Sequence, residues 1–123
     1  MFIKNPLYMN MHCSKQEKAL FVKRNTSLIK LDKDSISHIM VEGRYSELYV
    51  NEKKFVCRKS LAELLELFPE DLFFRAHRNF LVNKLFVRHI DTSEYTVYLT
   101  TGDLVPISRR YMENAKGIYT IVT

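Results

Sequence analysis

From Ala19 onward the chain alternates short runs of strand-forming apolar residues with clusters of turn formers, and its unbroken apolar runs reach only four residues. Ala19 to Lys23, Leu28 to Leu31 and Ile36 to Val41 read as strands, separated by turns at Asn25-Thr26-Ser27 and Asp32-Lys33-Asp34. Glu42-Gly43-Arg44-Tyr45-Ser46 is the next connection, with glycine available for a backbone angle that other residues avoid. Leu48 to Val50 and Lys54 to Arg58 follow as a hairpin around Asn51-Glu52-Lys53. Ser60-Leu61-Ala62-Glu63 is a capping-box pattern, in which serine and glutamate satisfy amides that a helix start leaves unpaired. Leu61, Leu64, Leu65 and Phe68 then share one side of a short helix that Pro69 stops after barely two turns. Its open side carries Glu63, Glu66 and Glu70, where a helix that reads DNA presents Arg, Asn or Gln, so it is expected to face away from a polyanion.

Leu85 to Ile90, Tyr95 to Thr100 and Leu104 to Ile107 are three more strand segments, the last two flanking a tight hairpin at Thr101-Gly102-Asp103. Tyr95, Val97 and Leu99 alternate with Thr96, Tyr98 and Thr100, the period of a strand with one buried face. Pro106 predicts an edge position or strand end. Ser108 caps a closing helix over Arg109 to Lys116 that Gly117 ends, and Ile118, Tyr119, Ile121 and Val122 form a last apolar segment. Eight or so short strands and two short helices predict a mainly β protein. Residues 1–18 lack an apolar period and read as an N-terminal arm or the remnant of a linker, which leaves 19–123 as the domain.

Composition narrows the class. A chain of 123 residues suits one domain, and 46% hydrophobic with 27% charged residues is the balance of a globular protein. A net charge of +5 favours acidic partners: nucleic acid, an anionic membrane or an acidic protein. No apolar run approaches the ~20 residues that cross a bilayer. Cys13 and Cys57 have neither disulfide-framework nor metal-site spacing, so a reduced, cytoplasmic setting is expected.

Between Leu72 and Ile90 there is no acidic residue, while Arg75, His77, Arg78, Lys84, Arg88 and His89 give that stretch a positive field. Within it, Phe73 to Asn83 interleaves apolar anchors with Arg75, His77, Arg78, Asn79 and Asn83, which suits a supported surface that grips a polyanion. Ser108-Arg109-Arg110 is a second basic cluster and Gly43-Arg44-Tyr45-Ser46 a third. Arginine in such loops makes forked hydrogen bonds to guanine or grips phosphate, Asn reads adenine, and Ser or Tyr fixes the backbone. The plain alternative is arginines that are solvated or paired with the acidic helix around Glu63 and Glu66. His77 is open to two orientations: outward between the arginines, or inward on a backbone carbonyl. Phe74, Phe80, Tyr95 and Tyr98 are open to base stacking or to the core. His12, His38, His77 and His89 lack metal-site spacing, and neither a nucleophile-elbow serine nor a Gly-rich phosphate loop is present. Two rivals to nucleic-acid binding stay open: a protein-interaction module with basic loops on an acidic partner, and an RNA-processing enzyme built on His77 and His89.

Four segments, in order and spacing, resemble the LytTR DNA-binding domain, the output module of LytR/AlgR-type bacterial response regulators. They are Ile39-Met40-Val41-Glu42-Gly43-Arg44-Tyr45, Lys59-Ser60-Leu61, the run Phe73 to Asn83, and Val105-Pro106-Ile107-Ser108-Arg109-Arg110-Tyr111. The similarity covers about Ala19 to Tyr119. It implies an elongated, mainly β fold of about ten short strands in small sheets with two short helices. Such a fold reads DNA without a helix-turn-helix: three loops enter two successive major grooves, with backbone contacts across the minor groove between. Carried over, base reading falls on Arg78, on Arg110 and, in the Arg44-Tyr45-Ser46-Glu47 loop, on Tyr45 and Ser46. Arg44, Arg75, His77, Asn79, Asn83 and Arg109 become backbone or supporting contacts. Asn79 stands where the family usually has a phosphate-contacting serine, and its amide can still donate to phosphate. Asn83 closes the family's Val-Asn pair and is expected to hold the loop through bonds to backbone.

The resemblance also implies partners: promoter DNA with paired direct repeats, a second copy on that DNA, and a receiver domain or kinase, with no cofactor and no membrane. Most members carry a receiver domain before the linker, and here eighteen residues precede the module. That leaves an excised output domain and a regulator working without phosphorylation of its own chain as alternatives.

Overall fold

The computed structural model describes residues 17–123. His12, Cys13 and all but the last two residues of the expected N-terminal arm lie outside the described residues. Among the described residues, ten strands and two helices follow in order: β1 (Ala19–Arg24), β2 (Ser27–Asp32), β3 (Ile36–Glu42), β4 (Tyr45–Val50), β5 (Lys53–Cys57), α1 (Leu61–Leu65), β6 (Phe73–His77), β7 (Phe80–Asn83), β8 (Val87–Asp91), β9 (Thr96–Leu99), β10 (Leu104–Pro106) and α2 (Arg109–Ile118). Short 3-10 turns cover Lys33–Ser35 and Lys84–Phe86. The strands form three antiparallel sheets with orders β1-β2, β5-β4-β3-β7-β6 and β10-β9-β8. Asn25 and Asn51, each at φ 56°, turn the β1–β2 and β4–β5 hairpins, since a short polar side chain tolerates left-handed backbone. Pro106 ends β10, an edge strand, as its missing N–H requires.

Two apolar cores hold the sheets. One gathers Val22, Leu31, Ile36, Ile39, Leu48, Phe55, Leu64, Phe68, Phe73 and Leu81; the other gathers Phe74, Ala76, Val82, Val97, Leu99, Val105, Ile107, Met112 and Ala115. The β6–β7 hairpin serves both. Successive strand residues point to opposite faces, so Phe73 and Leu81 enter the first core while Phe74, Ala76 and Val82 enter the second. A hairpin buried on both sides loses the apolar–polar alternation that marks a strand. For that reason this pair is missing from the eight strands the pattern predicts.

The capping box of α1 is present: Glu63 N–H donates to Ser60 Oγ at 3.3 Å and Ser60 N–H to Glu63 Oε1 at 2.9 Å. The helix is shorter than its apolar stripe suggests. After Leu65 the chain tightens through Leu67 N–H to Leu64 carbonyl at 2.9 Å, which turns Leu67 toward the core and leaves Leu65 exposed. β8 starts at Val87 and not Leu85, because Leu85 N–H is taken by Asn83 Oδ1 at 2.8 Å in the preceding 3-10 turn. α2 runs through Gly117 to Ile118, since Gly117 holds no positive φ. Ile118 and Tyr119 pack on the second core, whereas Ile121 and Val122 are exposed. Among the described residues no helix is long and apolar enough to cross a membrane.

Candidate nucleic-acid interface

The three basic connections are each built by a tight backbone device. Gly43 and Arg44 join β3 to β4 as a two-residue turn between paired Glu42 and Tyr45. Gly43 takes φ 62° while Arg44 does not turn positive, the arrangement of a hairpin with glycine at the first central position. A Cβ at Gly43 would meet nothing within 4 Å, so the demand for glycine there is torsional. Arg44 stands exposed at the tip. Tyr45 is half exposed, with the Arg58 guanidinium 5.7 Å from its ring centroid.

Ser46 corrects the expectation of a base reader. The turn commits Tyr45 and Ser46 to β4, and strand alternation sends Ser46 inward, where it is 1% exposed with its Oγ 3.1 Å from Cys57 Sγ.

Arg78 and Asn79 form the second connection, between paired His77 and Phe80, and both are exposed. His77 takes neither of its two expected orientations. Its Nδ1 accepts from Asn79 N–H at 3.2 Å and its ring meets Phe80 edge-on at 6.0 Å, so it braces its own turn. The register skips between Arg75 and His77, leaving Ala76 as a bulged residue. Asn83 is fully buried: its amide donates to Ile36 carbonyl at 2.8 Å and Asp34 carbonyl at 3.3 Å. It supports the hairpin from inside and has no surface to offer DNA.

The third connection is the start of α2. Ser108 caps it, its Oγ accepting from Tyr111 N–H at 3.3 Å, and Arg109 and Arg110 occupy the exposed first turn. Arg109 lies 5.8 Å from the Tyr95 ring centroid and Arg110 5.6 Å from that of Tyr111.

Backbone bonds tie these connections into one row. Val41 N–H, at the end of β3, donates to Asn79 carbonyl at 2.8 Å. Ser108 N–H, at the start of α2, donates to Ala76 carbonyl at 2.8 Å. The bulge therefore supplies the acceptor that docks α2 beside the Arg78 turn. Glu42 stands exposed at the base of the first turn, while other acids are engaged: Glu63 by Ser60 and by Lys59 at 3.9 Å, Glu47 by Lys54 at 3.4 Å and Glu113 by Lys116 at 3.5 Å.

Arg58 is the member that sequence reading passes over. Pairing of Ser46 with Cys57 sets Arg58 opposite Tyr45, so only the hairpin register reveals it. The aromatic candidates for base stacking are engaged in the fold. Phe74 is buried, Phe80 and Tyr95 pack on the second core, and Tyr98 donates its hydroxyl to Glu94 at 3.0 Å. The two histidines of the enzyme alternative belong to different sheets, His77 in β6 and His89 in β8, where it stacks on Tyr98 at 4.1 Å. Toward the end of the β3–β4 hairpin remote from the first connection, His38 stacks on Tyr49 at 4.2 Å, and burial pushes the imidazole below its ordinary value. Burial and a hydrogen bond to Glu47 push the Tyr49 hydroxyl up to about 12.

A mainly β domain that aligns three cationic connections, with no helix-turn-helix among the described residues, is the class these features define. The family model for the LytTr DNA-binding domain matches residues 26–119, and the chain belongs to that family. Its fold matches the LytTr DNA-binding domain of a methyl-accepting/DNA response regulator from Bacillus cereus with a TM-score of 0.73, over 83% of this chain and 96% of that one, at 23% identity. The sensory transduction protein LytT of Bacillus subtilis is 24% identical over 115 residues, covering 91% of this chain and 47% of that protein. LytT of Enterococcus faecalis is 28% identical over 86 residues, covering 68% and 36%. The CO-responsive transcriptional regulator RcoM of Rhodospirillum rubrum is 30% identical over 95 residues, covering 74% and 40%. The chain thus spans less than half the length of each of these curated relatives.

Proposed function

We propose that this LytTR-family domain binds double-stranded DNA sequence-specifically, as the DNA-binding part of a cytoplasmic bacterial transcription regulator, and reads the major groove through its loops. The observation that supports this most is the row of three cationic connections held by the Val41–Asn79 and Ala76–Ser108 backbone bonds. Arg78 and Arg110 are the main base readers, because a guanidinium on a fixed turn makes paired hydrogen bonds to the O6 and N7 of guanine. Arg44 and Tyr45 serve the first loop, with Arg58 beside them in the place that buried Ser46 leaves. Asn79 and Arg109 grip phosphate, and the open amides at the start of α2 add to that grip. His77 and Asn83 hold the second turn in shape.

The operator consists of paired direct repeats occupied by two copies, and a receiver domain or kinase supplies the upstream signal. The names of LytT and RcoM are in keeping with such a signal-linked regulator. Selection of random duplexes on the purified chain, followed by titration of the enriched and a scrambled duplex at two salt concentrations, tests the reading. Enrichment of a repeated motif is expected, with log affinity falling by ~0.9 per log unit of salt for each phosphate neutralised. Equal affinity for enriched and scrambled duplexes rejects it.

A further inference from the structure

Arg75 sits in the middle of the basic stretch, where its charge suggests one more phosphate contact. Its surroundings say otherwise. Its Nη2 donates to the Arg78 carbonyl at 3.3 Å, and its guanidinium carbon lies 4.9 Å from the Tyr111 ring centroid. Its Nε is buried without a hydrogen-bond partner. We infer that Arg75 and Tyr111 form a clamp that sets the Arg78 turn and the first turn of α2 in a fixed mutual position, making Arg75 a positioning residue and not a DNA contact. The inference rests on the proposed function and adds a device within it.

Each part of the clamp has an anchor. Tyr111 packs on the second core, and its N–H is held by Ser108 at the helix cap. Ser108 in turn donates its N–H to Ala76, the neighbour of Arg75. β6 is an edge strand, so no further strand stands between Arg75 and the α2 side. The result is a closed circuit from the Arg78 carbonyl through Arg75 and Tyr111 to Ser108, and back through Ala76 to β6. Leaving Nε without a partner is a cost that a freely extended arginine would avoid. What offsets it is the cation–π contact with the tyrosine ring, which strengthens as water is removed. Lysine lacks the planar fork and cannot both stack and reach the carbonyl. Arg110 leans on the same ring at 5.6 Å, so the clamp touches the backbone behind one base reader and the side chain of the other.

The test uses the full chain and the duplex enriched by selection, with R75K, R75Q, Y111F, Y111L and the R75Q/Y111L double variant, each checked by thermal melting. Three results are expected. R75K, R75Q and Y111L each weaken binding about tenfold, while Y111F stays near the parent. The salt slope is unchanged in all of them, and base discrimination opposite Arg78 and Arg110 relaxes together. The double variant binds no worse than the weaker single one.

If R75K restores affinity and R75Q lowers the salt slope by ~0.9, Arg75 is a phosphate contact and the clamp is rejected. If no duplex binds the parent chain, the DNA reading fails and the clamp is judged alone by amide hydrogen exchange on the free chain. Faster exchange at Arg78, Asn79 and Tyr111 in R75Q and Y111L, with Y111F unchanged, supports it; exchange equal to the parent overturns it. Should R75Q fail to fold, the Y111F and Y111L pair carries the same comparison.

Discussion

Arg78 and Arg110 project from connections held by backbone hydrogen bonds, so under the proposed function their loss is expected to remove recognition without loosening the support. Arg78→Ala and Arg110→Ala are each expected to weaken cognate binding by ~1–3 kcal/mol, with melting temperatures close to the parent. Titration of both variants on enriched and scrambled duplexes checks this; discrimination as sharp as the parent's would remove the residues from the reading set. Asn83 is the opposite case. Truncation to alanine removes the partner of the Asp34 and Ile36 carbonyls and of the Leu85 N–H, and the Ile36 bond lies wholly inside. Asn83→Ala is therefore expected to cost ~2–4 kcal/mol of stability, measured by urea unfolding. A loss below about 1 kcal/mol would mean that water replaces the amide. The two kinds of residue look alike in the sequence. Arg78 and Asn83 are polar members of one basic run, and burial separates them: Arg78 is exposed and Asn83 is inside.

At the scale of elements, the tight turns decide what each loop can present. Gly43 at φ 62° keeps the β3–β4 connection to two residues, which is why Arg44 reaches the tip while Ser46 is turned inside. Gly43→Ala places a Cβ in left-handed backbone and is expected to destabilise the chain by ~1–2 kcal/mol and to weaken DNA binding through the first loop. Urea unfolding and duplex titration of the same variant check both, and parent-like values in both would show that the turn relaxes freely. Most elements were legible from local chemistry, namely the hairpins at Asn25, Asn51 and Gly102, the Ser60–Glu63 box and the Ser108 cap. Three misreadings have physical causes. β6 and β7 lack alternation because both faces are buried. Leu65 and Leu67 exchange places because α1 tightens at its end. Leu85 is drawn out of β8 because Asn83 captures its amide.

On the whole molecule, the β9–β10 turn and the five-stranded sheet meet around His38. The ring packs on Tyr49 of β4, with Ser37 Oγ at 3.0 Å from its Nδ1, and Asp103 acts on it from the third sheet. Burial lowers its affinity for protons from the ordinary value of 6.5, and Asp103 opposes this only in part. The unfolded chain therefore takes up the proton first. Stability from this site is complete above about pH 6.5 and falls as pH drops toward the folded value. Urea midpoints at pH 7.5 and pH 5 are expected to decline in the parent and to change less in His38→Gln. An equal decline in both would assign the effect to other groups.

The amino-acid sequence by itself determined the mainly β class, the positions of most turns and caps, the acid-free basic stretch and the family, because these rest on residue types within a few positions of one another. The tertiary structure alone decided that Ser46 is inside, that Arg58 joins Tyr45, and that Arg75 is turned onto Tyr111. Each of these depends on strand register or on contact between segments far apart in the chain. A one-residue change of register reverses which face a side chain occupies, and no local pattern of residues fixes that.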